Sequence, residues 1–421
     1  MLITYRILTI LLWPWIFVFS LLIPGAKNFL KTRKEDKRKI LSYPFAPKAQ
    51  KVVWLHAASV GELDQCKAVA LVYKKKEPET FILQSVFSDS VRDSSLEAFP
   101  ADLKFRLPLD FPWSYDFILD KFSPQVLICM AWDRWPNLLL AAKRRRIQTI
   151  LASAVITVPK GFLKRKFYKA AFSLFDKILT SHSSGEEKFK ELLGEKKNIK
   201  TLGDSRFDSV IQKIETSQRE FKRPKNYPFS QVFLLASTYE PCEKLLLPLL
   251  QEPSLKNTSF WIFPHKTDPT RITQLESEIK SFTSDYTLYS RTEFNSISSR
   301  VILFDVLGIL AHAYRAADFA YIGGALHNRV HNVLEPAYFG LPLLSGPRIT
   351  HAPEAIELNH RGGLFIIRTK EEVLEILQLS SERKEAIRFS NRQFVETGRG
   401  AAERIYSEIV SHAETQRRRG F

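Results

Sequence analysis

The stretch HAASVGELDQ, His56 to Gln65, places Glu62 as the first carboxylate after a run of small residues. KVVWL, just before it, reads as a buried strand, an apolar run with two β-branched residues and an aromatic. Small residues at a strand exit let a substrate approach the backbone. In an open α/β sheet, ligands sit at that end, where the loop enters a helix. A carboxylate placed there has the reach of a general base. The plainer reading is a first-turn glutamate that complements the helix dipole. The residues alone leave both open.

The second half of the chain carries residues suited to a nucleotide. ASTYEPCE sets Ser237 and Thr238 at a strand end before a helix. Gly323 and Gly324 close another apolar run in YIGGALHNRVHNVLEPAYFGLPLLSGP, and Asn332 and Glu335 follow, three apart, at a helix start. A carboxylate one turn inside a helix can accept both hydroxyls of a ribose, and the helix N-terminus offers free N–H groups to a phosphate. The same pair serves equally as a capping pair. No GxGxxG follows the first strand of this half, and there is no P-loop.

The elements that must position these residues alternate strand and helix. KVVWLHA, TFILQSV, QVLICMA, QTILASA, KILTSH and IKTLGDSRFD read as strands of one parallel, doubly wound sheet. Charge and two prolines break the rhythm at 213–230, and QVFLLAS, FWIFPH, VILFDV, FAYIGGA, LPLLSG and GGLFIIR resume it. The expected division is a membrane anchor at 1–26, a first Rossmann-like domain at 27–212 and a linker at 213–230. A second Rossmann-like domain follows at 231–400, then a C-terminal helix and tail at 401–421. Two such domains facing a cleft suit a pair of substrates.

At 421 residues, two domains are the default size reading. The three cysteines, Cys66, Cys129 and Cys242, are widely spaced and give neither a disulfide framework nor a metal spacing. A net charge of +17 calls for a polyanionic neighbour. Ile7 to Pro24 is 18 residues without a charge, kinked by Pro14, and seven basic residues against two acids follow between Lys27 and Lys39. That pattern predicts a membrane-anchoring helix, spanning or interfacial, with the globular part at the cytoplasmic face. No zinc spacing or RNA-binding aromatic signature supports a nucleic-acid partner.

Taken together the segments resemble the Kdo transferases of lipopolysaccharide synthesis (3-deoxy-D-manno-octulosonate transferases), a family of GT-B glycosyltransferases. The markers are HAASVGE (56–62), RLPLDFPWS (106–114), WPNL (135–138), GDSRFD (203–208), AST (236–238) and GGALHNRVHNVLEPAYFGLPLLSGP (323–347). The resemblance implies transfer of Kdo from CMP-Kdo to a lipid A precursor (lipid IVA) with inversion, at the inner membrane. It makes Glu62 the base, with Ser59, Gly61 and Asp133 on the acceptor side. It assigns Arg206, Ser237, Thr238, His265, Lys266, Gly323, Gly324, Asn332 and Glu335 to the donor. The PHK segment, 264–266, occupies the place of a basic motif, and a plain surface loop is its alternative. There is no Asp-x-Asp pair, so no metal and no cofactor are expected, with charge left to helix N-termini and basic side chains.

The chain departs from the family pattern on the acceptor side. AWDRWPNL, 131–138, puts Asp133 for a glutamate and Arg134 for an apolar residue, and ASA, 152–154, lacks an Asn and an Arg. These changes bear on the acceptor more than on the donor. PKGFLKRKFYKAAFSLF, 159–175, sets Phe162, Leu163, Phe167, Ala170 and Ala171 among basic residues, as a core-packed face or as a surface for acyl chains and lipid phosphates. The competing functions are a membrane-associated GT-B enzyme using a UDP-sugar and a membrane-tethered binding protein without catalysis.

Overall fold

The computed structural model describes residues 1–45, 51–195, 197–217 and 221–418. It holds two parallel seven-stranded sheets. The first contains β1 (Val52–Ala57), β2 (Phe81–Val86), β3 (Leu103–Arg106), β4 (Val126–Met130), β5 (Gln148–Ala154), β6 (Lys177–Thr180) and β7 (Ile199–Thr201), in the order β3-β2-β1-β4-β5-β6-β7. The second contains β8 (Gln231–Thr238), β9 (Thr258–Pro264), β10 (Tyr286–Leu288), β11 (Val301–Leu303), β12 (Phe319–Ile322), β13 (Leu343–Ser345) and β14 (Leu364–Ile366), in the order β10-β11-β9-β8-β12-β13-β14. Helices cover both faces of a parallel sheet, so its inner strands read as unbroken apolar runs. Every residue of β1, β2 and β4 is buried accordingly.

β3 and β10 are the two strands that the sequence reading omits. Each is an edge strand, short and hydrogen-bonded on one side only. An edge position needs no two-faced apolar run, so LKFR and YTL carry little strand signal.

The chain divides into two units, 1–209 with 400–421, and 210–399. The boundary falls inside the helix Arg206–Glu215. Of the expected linker, 218–220 lie outside the described residues. The last helix, Ala401–Arg418, belongs to the first unit, where Ile405 and Ile409 join the core beneath β1 and β4. Asp208 fixes its start by accepting from the N–H groups of Gly400 and Ala402.

Of the two forms expected for the anchoring helix at 1–26, the spanning one is corrected by the structure. Helix α1 (Leu2–Leu22) stops at Ile23, and α2 (Pro24–Ser42) begins with Pro24 at its first position. Among the described residues no helix is long and apolar enough to cross a membrane. Tyr5, Arg6 and Thr9 dilute the apolar run, and two of them tie α1 to the first unit. The Tyr5 hydroxyl donates to Asp110 at 2.8 Å, and the Asn137 amide to the Thr9 hydroxyl at 3.4 Å. Trp13 packs edge-on against Phe111 and Trp113.

Asp110 also explains two of the sequence markers. Its buried carboxylate accepts the N–H groups of Asn137 and Leu138, in the first turn of the helix Pro136–Arg144, and the hydroxyl of Tyr115. RLPLDFPWS and WPNL are thus one structural joint. An acid at a helix N-terminus is favoured by the dipole and by the free N–H groups.

Candidate functional site

The strand order reverses between β1 and β4 in the first unit and between β8 and β12 in the second, where β11 is also inserted between β9 and β10. Ligands of open α/β sheets bind outside the carboxyl ends of strands at such switch points. The candidate residues gather at these two places.

In the first unit β1 runs out through Ala57 and Ala58 into helix α3 (Val60–Lys76), and Glu62 is the third residue of that helix. Its carboxylate accepts from the Ser59 hydroxyl at 2.9 Å and from the backbone N–H groups of Ser59 and Ala58. The helix-start role of Glu62 is therefore real, and it is half of a capping box. Three features exceed that role. Glu62 is buried, the exposed Trp132 indole donates to it from the β4 exit, and a second carboxyl, Asp133, lies beside it. Burial pushes the Glu62 carboxyl up from its usual range, and the donors pull it partly back. A carboxyl raised toward neutrality is the form in which a glutamate works as a base at physiological pH.

Asp133 is buried and accepts from the same Ala58 N–H. Burial, and then the charge of Glu62, push it well above the carboxylate range. Its neighbour Arg134 lays its guanidinium 3.9 Å over the Tyr168 ring and donates to the Trp132 carbonyl. Ser153, in the departing ASA segment, accepts the N–H of Ser205 at 3.0 Å and so ties β5 to GDSRFD. Gly61 is exposed, and a methyl group added there meets nothing within 4 Å. Ala131 after β4 and Ser153 in β5 hold positive φ, 55° and 47°. Such backbone strain clusters at functional sites.

Arg206 is placed in the first unit, at the start of its helix. It makes a forked pair with the buried Asp204, Nε and Nη2 donating to one oxygen at 2.9 and 2.6 Å. Asp204 in turn accepts from Gln65 of α3. Arg206 is thus oriented by the helix that carries Glu62.

In the second unit, Ser237 at the exit of β8 has φ 50°, and Gly323 at the exit of β12 touches it. A Cβ on Gly323 would collide with the Ser237 carbonyl, so only glycine lets these two exits lie side by side. Gly324 has φ 94° and turns the chain back, its carbonyl accepting from Asn328 at 2.8 Å. The Thr238 hydroxyl is buried and donates to Glu243, itself paired with Arg271, so this side chain is engaged within the fold. His265 and Lys266 are exposed after β9. The His265 ring stacks on Tyr239 at 4.6 Å and on His331 at 4.7 Å. Asn332 accepts the N–H of Leu334 at 2.9 Å, while Glu335 pairs with Lys213 at 2.6 Å rather than reaching back to the helix start. Glu335 is therefore free of capping duty.

The sequence reading missed His56, Trp132, Tyr239, His327 and His331. All five lie inside stretches it quoted. His56 hides in an apolar strand, and the ring column exists only because β8, β9 and the loop after β12 meet at one sheet end.

Two Rossmann-like parallel-sheet domains with these exits define a GT-B-like chain. A crystal structure of UDP-GlcNAc 2-epimerase from Neisseria meningitidis shares this fold, with a TM-score of 0.63 at 14% identity over 86% of this chain and 100% of that one. Residues 33–209 match the family described as 3-Deoxy-D-manno-octulosonic-acid transferase (kdotransferase). A 3-deoxy-D-manno-octulosonic acid transferase of Chlamydophila psittaci is 26% identical, covering 75% of this chain and 73% of its own. A bifunctional glycosyltransferase/methyltransferase of Fusobacterium nucleatum is 25% identical over 88% of this chain, which spans only 59% of that relative. The chain is a relative of the Kdo transferases.

Proposed function

We propose that this chain transfers Kdo from CMP-Kdo to a lipid A precursor, lipid IVA, with inversion at the anomeric carbon, in lipopolysaccharide core synthesis. The observation that carries the reading is the buried Glu62 at the β1–β4 switch point, inside the stretch that matches the kdotransferase family. In the proposed step an acceptor hydroxyl attacks the anomeric carbon and gives its proton to Glu62. The new C–O bond forms as the bond to the CMP phosphate breaks. Ser59 and Gly61 border the space left for the acceptor. Donor binding is assigned mainly to the second unit, with Glu335 and Asn332 at the ribose, Ser237 and the Gly323–Gly324 turn near the phosphate, and His265 and Lys266 offered to the anionic groups; Arg206, in the first unit, is a further candidate for those groups. Thr238 shapes the loop through Glu243.

Nucleotide choice tests the reading against a UDP-sugar enzyme. A ligand at 100 times its Kd stabilises the folded state by about 2.7 kcal/mol. CMP should raise the melting temperature of the whole protein and UDP should not. A rise with UDP alone removes Kdo transfer from CMP-Kdo.

We further propose that the protein works at the cytoplasmic face of an inner membrane, with α1 lying in the interface. Ile3, Ile7, Leu8, Leu11, Trp15 and Phe19 form one exposed apolar stripe. Tyr5 of α1 packs against Phe167 of the helix Phe162–Phe172, whose Phe162 and Leu163 are 76% and 68% exposed beside the exposed Lys164, Arg165 and Lys166. Core packing is thus not what these two residues serve. The apolar stripe and basic neighbours match a surface of anionic lipid. The protein should co-sediment with phosphatidylglycerol vesicles, and a Trp15→Glu, Phe162→Glu double variant should lose most of that binding. Equal sedimentation of parent and variant rules out this face.

A further inference from the structure

Two buried polar atoms beside Glu62 have no hydrogen-bond partner, His56 Nε2 and Asp133 Oδ2. They face each other at 3.4 Å. On the other side of the imidazole, Trp54 Nε1 donates to the Ser85 hydroxyl at 2.8 Å, and that oxygen lies 2.8 Å from His56 Nδ1. The Ser85 oxygen keeps a second lone pair and its own proton, so it can meet Nδ1 as acceptor or as donor. The tautomer in which Ser85 donates leaves the imidazole proton on Nε2, aimed at Asp133, and we adopt that tautomer. A buried donor or acceptor left unmet is costly, which favours closing the remaining gap.

Apart from Arg134, the surroundings of Asp133 are acidic or neutral. Glu62 and Asp133 both take the single N–H of Ala58. The other titratable groups facing the pair are the thiols of Cys66 on α3 and Cys129 on β4, both buried. Arg134 contributes its charge from the next residue, with its guanidinium over the Tyr168 ring. His56 is fully buried and burial pushes its imidazole down to about 3, so it stays neutral. Two adjacent carboxyls without a buried cation between them do not both ionise.

We propose that Glu62 and Asp133 form a dyad with one negative charge, in which Asp133 keeps the proton and His56 is the positioning residue that holds Asp133 through its Nε2–H. The charge then rests on Glu62, which has the better set of donors in Ser59, Ala58 and Trp132. Asp133 acts through Glu62 rather than on the substrate. Its hidden carboxyl keeps the base in a low-charge, water-poor setting, which sustains proton affinity without neutralising it. The inference rests on Glu62 being the base, but its physical content is a protonated Asp133 and can be read without any turnover.

The test is infrared spectroscopy of the whole protein at neutral pH, with ¹³C-labelled aspartate to mark aspartyl carboxyls. A protonated aspartyl C=O band should be present in the parent and lost in Asp133→Asn. In His56→Phe that band should persist and shift to higher frequency, because the carboxyl loses its N–H donor. Absence of an Asp133-dependent band in the labelled parent overturns the dyad, and an unmoved band in His56→Phe overturns the role of His56. The pH profile of transfer gives a second readout. With a neutral Asp133, Asp133→Asn exchanges one uncharged group for another, and the acid limb should stay in place. An ionised Asp133 would instead make that limb fall by about 1 pH unit or more when its charge is removed. A band without Kdo transfer upholds the dyad and discards the functional reading. Transfer without the band does the reverse.

Discussion

Glu62→Gln should lower transfer by roughly 10²–10⁴-fold, the contribution of a positioned general base. Glutamine keeps the shape and can still accept the Ser59 N–H at the helix start, but it takes no proton. CMP affinity should stay close to that of the parent, because donor contacts are assigned mainly to the second unit. Relative to the parent, the same variant should gain stability as pH rises. Burial lifts the Glu62 carboxyl above its ordinary 4.5, so the folded chain holds a proton that the unfolded chain has released. More protons bound in the folded state means stability that declines with rising pH through that window. Glutamine has no such proton to lose, so the difference in melting temperature between variant and parent should grow from about pH 5 upward. Unchanged turnover with a lower melting temperature would leave Glu62 as a helix-start residue only, and Asp133 would be the next carboxyl to test.

Glu335→Ala should weaken donor binding by about 1.5–3 kcal/mol, the size of a charge-assisted hydrogen bond to a ligand. That corresponds to roughly 10- to 150-fold in Kd. The fold should suffer far less. Glu335 caps nothing, and its partner Lys213 is half exposed, so removing the pair costs about 1 kcal/mol or less. Isothermal titration with CMP and thermal melting on one sample separate the two effects. Unchanged CMP affinity with a large loss of stability would assign Glu335 to the fold.

The inner strands, the two-domain plan and the loops that hold Glu62, Ser237 and Gly323 were legible in the sequence. Their signals are local: unbroken apolar runs ending in small residues. β3 and β10 were not, because an edge strand needs only one neighbour. The spanning form of the anchor was over-read for a related reason. Hydropathy counts the apolar residues from Ile7 onward, but not that Tyr5 and Thr9 bond to Asp110 and Asn137, far along the chain. The contacts of His56 were hidden for the same cause. Ser85 and Asp133 reach His56 only across strands β2 and β4, which no spacing along the chain reveals.

Mass spectrometry of the acceptor tests the account most directly. The whole protein is incubated with CMP-Kdo and detergent-dispersed lipid IVA, beside its Glu62→Gln variant and a control with a UDP-sugar in place of CMP-Kdo. The account predicts an acceptor heavier by at least one Kdo, with CMP released, for the parent alone. Product formation by Glu62→Gln within a few-fold of the parent would contradict the role of Glu62, and an unmodified acceptor with the active parent fold and bound CMP would contradict the transfer itself.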